Sequence, residues 1–272
     1  MTAADAEHRA AVEAWRTERY DRLRAETSWL TLAGLGWLKV GVNTVGSSQN
    51  ADVILPGGPP VAGTVTVDGS RATADGAFVN RGREVRGLEL TSDRDGEPTM
   101  LELGRYRLCV IDRGGRLGIR TWDVEAPARA AFAGIDHWPV DPAWRLTARI
   151  EPTPGRTIDV PDVLGTTESI PSPGDVVFEV DGVTYRLQAL PGGEDGRLWL
   201  IFGDATNGRE TYGGGRYLYT DPPDAAGRVT GDFNRAYNPP CVFTPYATCS
   251  LPWPANRLPI RVEAGERRFG DH

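Results

Sequence analysis

Lysine is almost absent from this chain: Lys39 stands alone among 30 basic residues, so every other one is arginine. That all but excludes a Schiff-base lysine. It also excludes a Walker-type phosphate loop, which needs Gly-Lys-Ser/Thr. Histidine is scarce, at His8, His137 and His272. Two of the three lie near the termini, which argues against a multi-histidine metal centre. Three cysteines (Cys109, Cys241 and Cys249) are too few for a disulfide framework. A basic excess is lacking as well, since 37 acidic residues outnumber the basic ones and the net charge is −7. Nucleic acid and anionic membranes are therefore poor partners. The most apolar run, Trp29 to Leu38, is too short to cross a bilayer and contains two glycines. The first residues carry Asp5 and Glu7 and no basic segment ahead of an apolar core, so no signal peptide is expected and the chain is placed in the cytoplasm.

Glycine (33) and proline (21) are abundant, together about a fifth of 272 residues. Such punctuation excludes a helical bundle and points to short strands joined by tight turns. A helix is expected over 2–27, with Thr2 and Asp5 resembling a capping box and Val12, Trp15 and Leu23 on one face. Residues 28–40, with two tryptophans and four leucines, read as a packing segment. Eight strands are expected near 43–46, 52–55, 61–67, 77–80, 86–91, 99–103, 106–112 and 116–121, with Asp68-Gly69, Asp75-Gly76 and Gly114-Gly115 between them. A strand at 145–150 lies in a connecting segment, 126–174. A second β unit over 175–272 opens with a hairpin, 176–180 and 183–190 around Asp181-Gly182. Strands at 197–202, 216–219 and 256–262 follow. The fold class is thus mainly β: an N-terminal helix and packing segment (1–39), a β-sandwich (40–125), and a C-terminal antiparallel unit, a small sandwich or barrel with a long proline-rich loop.

Within the first β unit, Asn43-Thr-Val-Gly-Ser-Ser-Gln-Asn-Ala-Asp-Val-Ile-Leu55, Asp75-Gly-Ala-Phe-Val-Asn-Arg-Gly-Arg-Glu-Val85 and Leu101-Glu-Leu-Gly-Arg-Tyr-Arg-Leu-Cys-Val-Ile111 resemble a degenerate forkhead-associated domain over 40–121. The resemblance rests on turn and strand spacing. Ser47 stands where that family has its phosphate-binding arginine, and Pro59-Pro-Val-Ala-Gly-Thr-Val replaces its Ser-x-x-His. Phosphothreonine recognition needs those cationic and hydroxyl donors, so it is not expected here.

Chemistry is sought in two stretches. Gly203-Asp-Ala-Thr-Asn-Gly-Arg-Glu-Thr-Tyr-Gly-Gly-Gly-Arg216 has a glycine triplet, but not the spacing of a dinucleotide loop. Residues 231–260 hold six prolines between 239 and 259 amid Tyr, Phe, Trp, Asn and Arg. Proline forbids long helix or central strand, and aromatics argue against disorder. Asp204, Thr211, Tyr212, Arg216, Asp232, Asn234, Arg235, Tyr237, Asn238, Asn256 and Arg257 are candidate ligand-binding residues of a pocket in 204–257. The same side chains would equally serve to hydrogen-bond an irregular backbone. Arg216, Arg235 and Arg257 would favour a carboxylate or phosphate on a small molecule or peptide. No cofactor is expected. For catalysis the candidates are Asp232, Cys241 and His137, as in a hydrolase using Asp232 or a cysteine with His137. Cys241 and Cys249 are weak metal candidates for want of two further ligands. A disulfide between them is disfavoured in a reducing cytoplasm, which leaves small buried cysteines packing the loop. A structural or protein-interaction module is the remaining class, with exposed Trp29 and Trp37 as its signature.

Asp204-Ala-Thr-Asn-Gly, Thr211-Tyr212, Gly215-Arg-Tyr-Leu, Asp232-Phe-Asn-Arg-Ala-Tyr-Asn-Pro-Pro-Cys241, Asn256-Arg-Leu-Pro259 and Glu263-Ala-Gly-Glu266 together resemble the bacterial and archaeal domain-of-unknown-function family 1684. Ser28 to Leu38 is similar to it too. Cys249-Ser-Leu-Pro-Trp-Pro departs from the family's usual Cys-Pro-Leu-Pro-Pro. The resemblance implies a family but no activity.

Overall fold

A computed structural model of the chain describes residues 2–270, so His272 lies outside it. The protein is mainly β and forms two units. One comprises the chain up to Tyr20, Ala133–Phe243 and the part from Thr248 onward; the other comprises Asp21–Phe132 with Thr244–Ala247.

Helix α1 spans Ala3–Arg24. Its start is a reciprocal box: the Thr2 amide donates to Asp5 Oδ2 (2.7 Å) and the Asp5 amide to Thr2 Oγ1 (3.1 Å). Aspartate thus does the work usually given to glutamate, satisfying amides that have no partner within the helix.

The second unit is a single nine-stranded sheet of β1 (Leu32–Trp37), β2 (Gly41–Gly46), β3 (Val53–Ile54), β4 (Gly63–Asp68), β5 (Arg71–Asn80), β6 (Arg83–Leu90), β7 (Leu101–Leu103), β8 (Tyr106–Arg113) and β9 (Arg116–Asp123). The path runs β1-β9-β8-β7-β5-β4-β2-β3, with β6 paired to β5. The sheet curls until its ends approach: a Cβ on Gly36 of β1 would lie 2.9 Å from Val53 Cγ1 of β3, so only glycine fits there. Val45, Val65, Phe78, Leu108 and Ile119 fill the interior, all essentially buried. On the other face Leu32, Cys109, Ile111 and Trp122 form a second cluster. Trp29 and Trp37 pack against that cluster, partly buried, and so do not present themselves as a free docking surface.

The eight expected strands are all present, but three readings need correction. The 28–40 stretch is not only packing: it contains β1, paired along β9, so the sheet starts ahead of residue 40. Asp75-Gly76 lies inside β5, at a shift in its register with β6, rather than between strands. The expected sandwich is one curled sheet.

The first unit carries a six-stranded sheet. Its strands are β10 (Arg145–Pro152), β13 (Gly174–Val180), β14 (Val183–Pro191), β15 (Leu198–Phe202), β16 (Arg216–Tyr219) and β17 (Arg228–Asp232). A separate hairpin of β11 (Thr157–Pro161) and β12 (Thr167–Pro171) completes it. The order is β16-β15-β14-β13-β10-β17. The expected Asp181-Gly182 hairpin forms, both residues at positive φ (52° and 75°) as a two-residue turn of right-handed twist demands. Residues 126–174, read as a connector, contribute β10 to this sheet between β13 and β17. The strand expected at 256–262 does not form. A short 3-10 turn over Pro254–Asn256 leads instead into irregular backbone, held by the Leu258 amide on Gly203 O (2.8 Å). Pro259 cannot donate to a ladder, which makes a regular strand untenable there.

Cys241 and Cys249 are joined as a disulfide with Cα atoms 6.2 Å apart. This corrects the expectation of reduced, packing cysteines and removes both as metal ligands or nucleophiles while the bond is intact. The cysteines are eight residues apart, and closing such a loop contributes about 2 kcal/mol. Burial pushes the free Cys109 thiol up to about 12, so it is inert in the native state. Intact protein is therefore expected to weigh two hydrogens less than its sequence and to react with no thiol reagent until unfolded, then once. Cys241→Ser should lower stability by about 2 kcal/mol in urea. Native labelling of two thiols would show the bridge to be absent.

Candidate functional site

The expected pocket residues belong to a network that binds backbone. Arg216, the first residue of edge strand β16, has no solvent exposure. One guanidinium nitrogen donates to Asp204 Oδ2 (2.7 Å) and to Val262 O (2.8 Å); the other donates to Ala264 O and Glu266 O. Its faces lie over Phe202 and Trp138, with centroids 5.4 and 5.5 Å away. Burial weakens its hold on the proton and Asp204 opposes that loss. Asp204 Oδ1 accepts from the Thr206 amide (2.7 Å). Thr211 bonds Thr206 Oγ1 (2.8 Å) and accepts from Asn207.

Buried amide side chains behave alike. Strands β14 and β15 pair only at Leu190–Trp199 and Pro191–Leu198. Beyond that point Asn256 enters between them: its Oδ1 accepts from the Gln188 amide, and its Nδ2 donates to Gln188 O and Ile201 O (2.8–2.9 Å). Asn234 clasps both backbone groups of Asp141 (2.9 Å each) and donates to Asp232 Oδ1. Asn238 donates its backbone amide to Glu266 Oε2 (2.6 Å) and its side chain to Arg267 O. These residues spend most of their polar atoms on their own chain, with Arg216 Nε and Asn238 Oδ1 left buried without a partner, so the backbone-holding alternative is favoured at Asp204, Thr211, Arg216, Asn234, Asn238 and Asn256.

Two buried carboxylates receive residues of α1 that the sequence did not single out. His8 Nε2 lies 2.8 Å from Asp232 Oδ2, and Arg235 Nε is 3.6 Å from the same oxygen. Glu266, fully buried, accepts from Arg19 through both oxygens. The spacing of His8, Val12, Trp15 and Arg19 along one helical face is the signal that could have grouped them. His137 does not join Asp232 or a cysteine. Its Nδ1 is 2.7 Å from Ile135 O and 3.3 Å from the Tyr20 hydroxyl, which leaves Nε2 buried without a partner. The hydrolase arrangement of a cysteine or Asp232 with His137 is therefore not assembled.

Aromatic side chains remain. On the face of β15 and β16 opposite Arg216, Trp199, Tyr219 and Tyr237 stand nearly parallel. Trp199–Tyr219 centroids are 6.2 Å apart at 15°, and Tyr219–Tyr237 are 6.3 Å apart at 13°. Tyr217 packs edge-on against both Trp199 and Tyr237, and Trp15 adds a tilted ring at 6.4 Å from Tyr237. Arg197 lies over Tyr219 (5.1 Å) and Arg19 over Tyr237 (4.7 Å). Tyr219 is 38% exposed, the most open ring of the set. Burial raises the phenols of Tyr217 and Tyr237 above the ordinary range, so both stay neutral near pH 7. Of the expected residues, Tyr212, Arg235, Tyr237 and Arg257 keep some exposure. A separate trough of about 380 Å³ lies over β10 and β13, lined by Thr147, Arg149, Glu179 and Arg228 among others and by none of the expected residues.

A β unit whose loops are tied by buried arginine, asparagine and carboxylate groups is the setting in which the family emerges. Residues 130–267 match the model described as protein of unknown function (DUF1684), and the chain belongs to that family. The match covers β10 to β17 and the irregular tail; Ser28–Leu38 lies outside it. The chain is also similar to the solution NMR structure of an uncharacterized protein of Haloarcula marismortui, at 30% sequence identity and a TM-score of 0.43, covering 53% of this chain and 82% of that one. No curated protein matches.

Removing one partner of a buried ion pair leaves the other charge uncompensated, at a cost of about 3–5 kcal/mol. Asp204→Asn should therefore destabilise the protein by that amount in urea denaturation; a loss under about 1 kcal/mol would show the Arg216 pair to be dispensable. His137 supplies a pH test. Burial first, then Arg16, depresses its pKa below 6.5, with Glu266 opposing. The unfolded imidazole therefore binds protons that the folded one refuses. Stability should be full above pH 6.5 and fall as pH drops below it. His137→Leu should flatten that slope, measured from urea midpoints between pH 5 and 8.

Proposed function

We propose that the chain is a binding protein that takes a small molecule or peptide on the aromatic face of β15 and β16. The near-parallel row of Trp199, Tyr219 and Tyr237 carries this reading. An exposed Tyr219 ring, backed by the partly buried Trp199 and Tyr237 and flanked by Arg197, supplies apolar contact together with charge recognition. Arg197 is half exposed beside Tyr219, with Asp195 as its carboxylate partner (2.6 Å). Arg235 is one-third exposed, beside Asp232 Oδ2 at 3.6 Å, and is kept as a further contact. These guanidinium groups favour a carboxylate or phosphate on the ligand. Arg257 is exposed and is kept as a further contact; Tyr212 belongs with it. No cofactor, nucleic acid or phosphothreonine enters this reading.

None of the helices among the described residues is long and apolar enough to cross a membrane. Cytoplasmic residence and the Cys241–Cys249 bond pull in opposite directions, because a reducing cytoplasm keeps such a pair open. We place the folded, bridged form where thiols oxidise.

A thermal-shift screen of aromatic and aliphatic carboxylates and phosphates tests the binding reading, with Trp fluorescence as the second readout. A hit should quench fluorescence, and Tyr219→Ala should weaken it about tenfold, as should Arg235→Ala. A hit whose affinity is unchanged in both variants would overturn the assignment.

A further inference from the structure

The N-terminal barrel, outside the family match, holds a formed cavity of about 410 Å³ between the β5–β6 turn and the loop that joins β6 to β7. That volume is in the range of small-molecule sites. Its walls are fixed by the protein's own bonds. Thr99 closes the neck of the loop, accepting the Thr91 amide on its hydroxyl (3.0 Å) and donating its own amide to Thr91 O (3.1 Å). Asp93 anchors the outer turn through a forked pair with Arg113 (3.0 and 2.7 Å). Asn80 ties β5 to Met100 O (2.7 Å). A site held open in this way loses little entropy when a ligand enters.

The lining has a definite chemistry. Leu88, Pro98 and Met100 form an apolar part. Arg81, Glu97 and Glu102 supply the charges. Glu102 is partly committed to Arg107, 3.6 Å away, which leaves one cation and one anion, Arg81 and Glu97, for a guest. Arg81 is also conformationally unusual. It occupies the first position of the two-residue turn Arg81-Gly82 at φ 50°, where glycine, asparagine or aspartate sits at less cost. A long cationic side chain kept at a position that disfavours it is an outlier of the kind found at ligand sites.

We propose that this cavity binds a small zwitterion of amino-acid type, either a free α-amino acid with an apolar side chain or a short dipeptide. Arg81 takes the carboxylate, Glu97 takes the ammonium with Glu102 behind it, and the apolar part lies on Leu88, Pro98 and Met100. The proposal is independent of the aromatic face of the other unit.

The test is isothermal titration of the full chain with leucine, methionine and glycyl-leucine, each against its N-acetylated and its amidated form. The zwitterions should bind, and loss of either charge should weaken binding about tenfold or more, as removal of a charge-assisted hydrogen bond does. Arg81→Asn keeps a residue that tolerates the turn, so it should retain the melting temperature while losing the zwitterion at least tenfold. Glu97→Gln should do the same. Absence of binding by any of the three zwitterions at millimolar concentration would overturn the proposal. So would equal binding of the blocked forms, or unchanged affinity in Arg81→Asn. Ligands of the aromatic face should be unaffected by these variants, which keeps the two assignments separable.

Discussion

The Arg216 guanidinium is the point on which the family unit turns. Among the described residues the tail after Asn256 forms only isolated bridges, at Arg257 and Glu266, so the Val262 and Ala264 carbonyls have no ladder partner. Buried carbonyls need donors, and Arg216 provides them at Val262, Ala264 and Glu266 from within β16. A buried cation is costly unless paired, and Asp204 pairs it. One side chain thus neutralises itself and ties the irregular tail to the sheet edge. Placing the tail also places Glu266, on which Arg19 and the Asn238 amide converge. With Asp232 receiving His8, the seating of α1 on this unit follows from the same carboxylates.

That arrangement changes what the signature residues mean. Asp204, Arg216, Asn234, Asn238 and Asn256 look like a ligand set because they are polar and clustered in glycine- and proline-punctuated stretches. Each is spent on the backbone. The other face of β15 and β16 carries the Trp199, Tyr219 and Tyr237 rings, with Arg197 over Tyr219, and it is there that we propose a ligand.

Much of the fold was legible. Turn residues at short spacing placed seven of the eight expected strands of the first sheet to within about three residues, whereas β5 begins at Arg71, six residues ahead of the expected 77–80, and Asp181-Gly182 marked its hairpin. Thr2 and Asp5 marked the start of α1. The misses share a cause. β1 was hidden because two tryptophans and four leucines read as packing, whereas its neighbour β9 comes from some ninety residues further along. β17 had no alternation strong enough to announce it, and it is a strand because β10 offers an edge. Residues 256–262 alternate like a strand, yet Pro259 and the Asn256 splint fix them otherwise. At the site, sequence could name polar residues but not their partners. The His8–Asp232 contact joins positions 224 apart, and Arg19–Glu266 joins positions 247 apart.

The amino-acid sequence alone determined the class: mainly β, one capped helix, tight glycine turns, and the family string around Asp232 to Cys241. These are local properties, set by backbone preference and side-chain type within a few residues. Tertiary structure decided the rest: which carboxylate meets which arginine, that Cys241 faces Cys249, and which face of β16 is covered. Those outcomes depend on long-range burial, where the cost of an unpaired polar group selects its partner from anywhere in the chain.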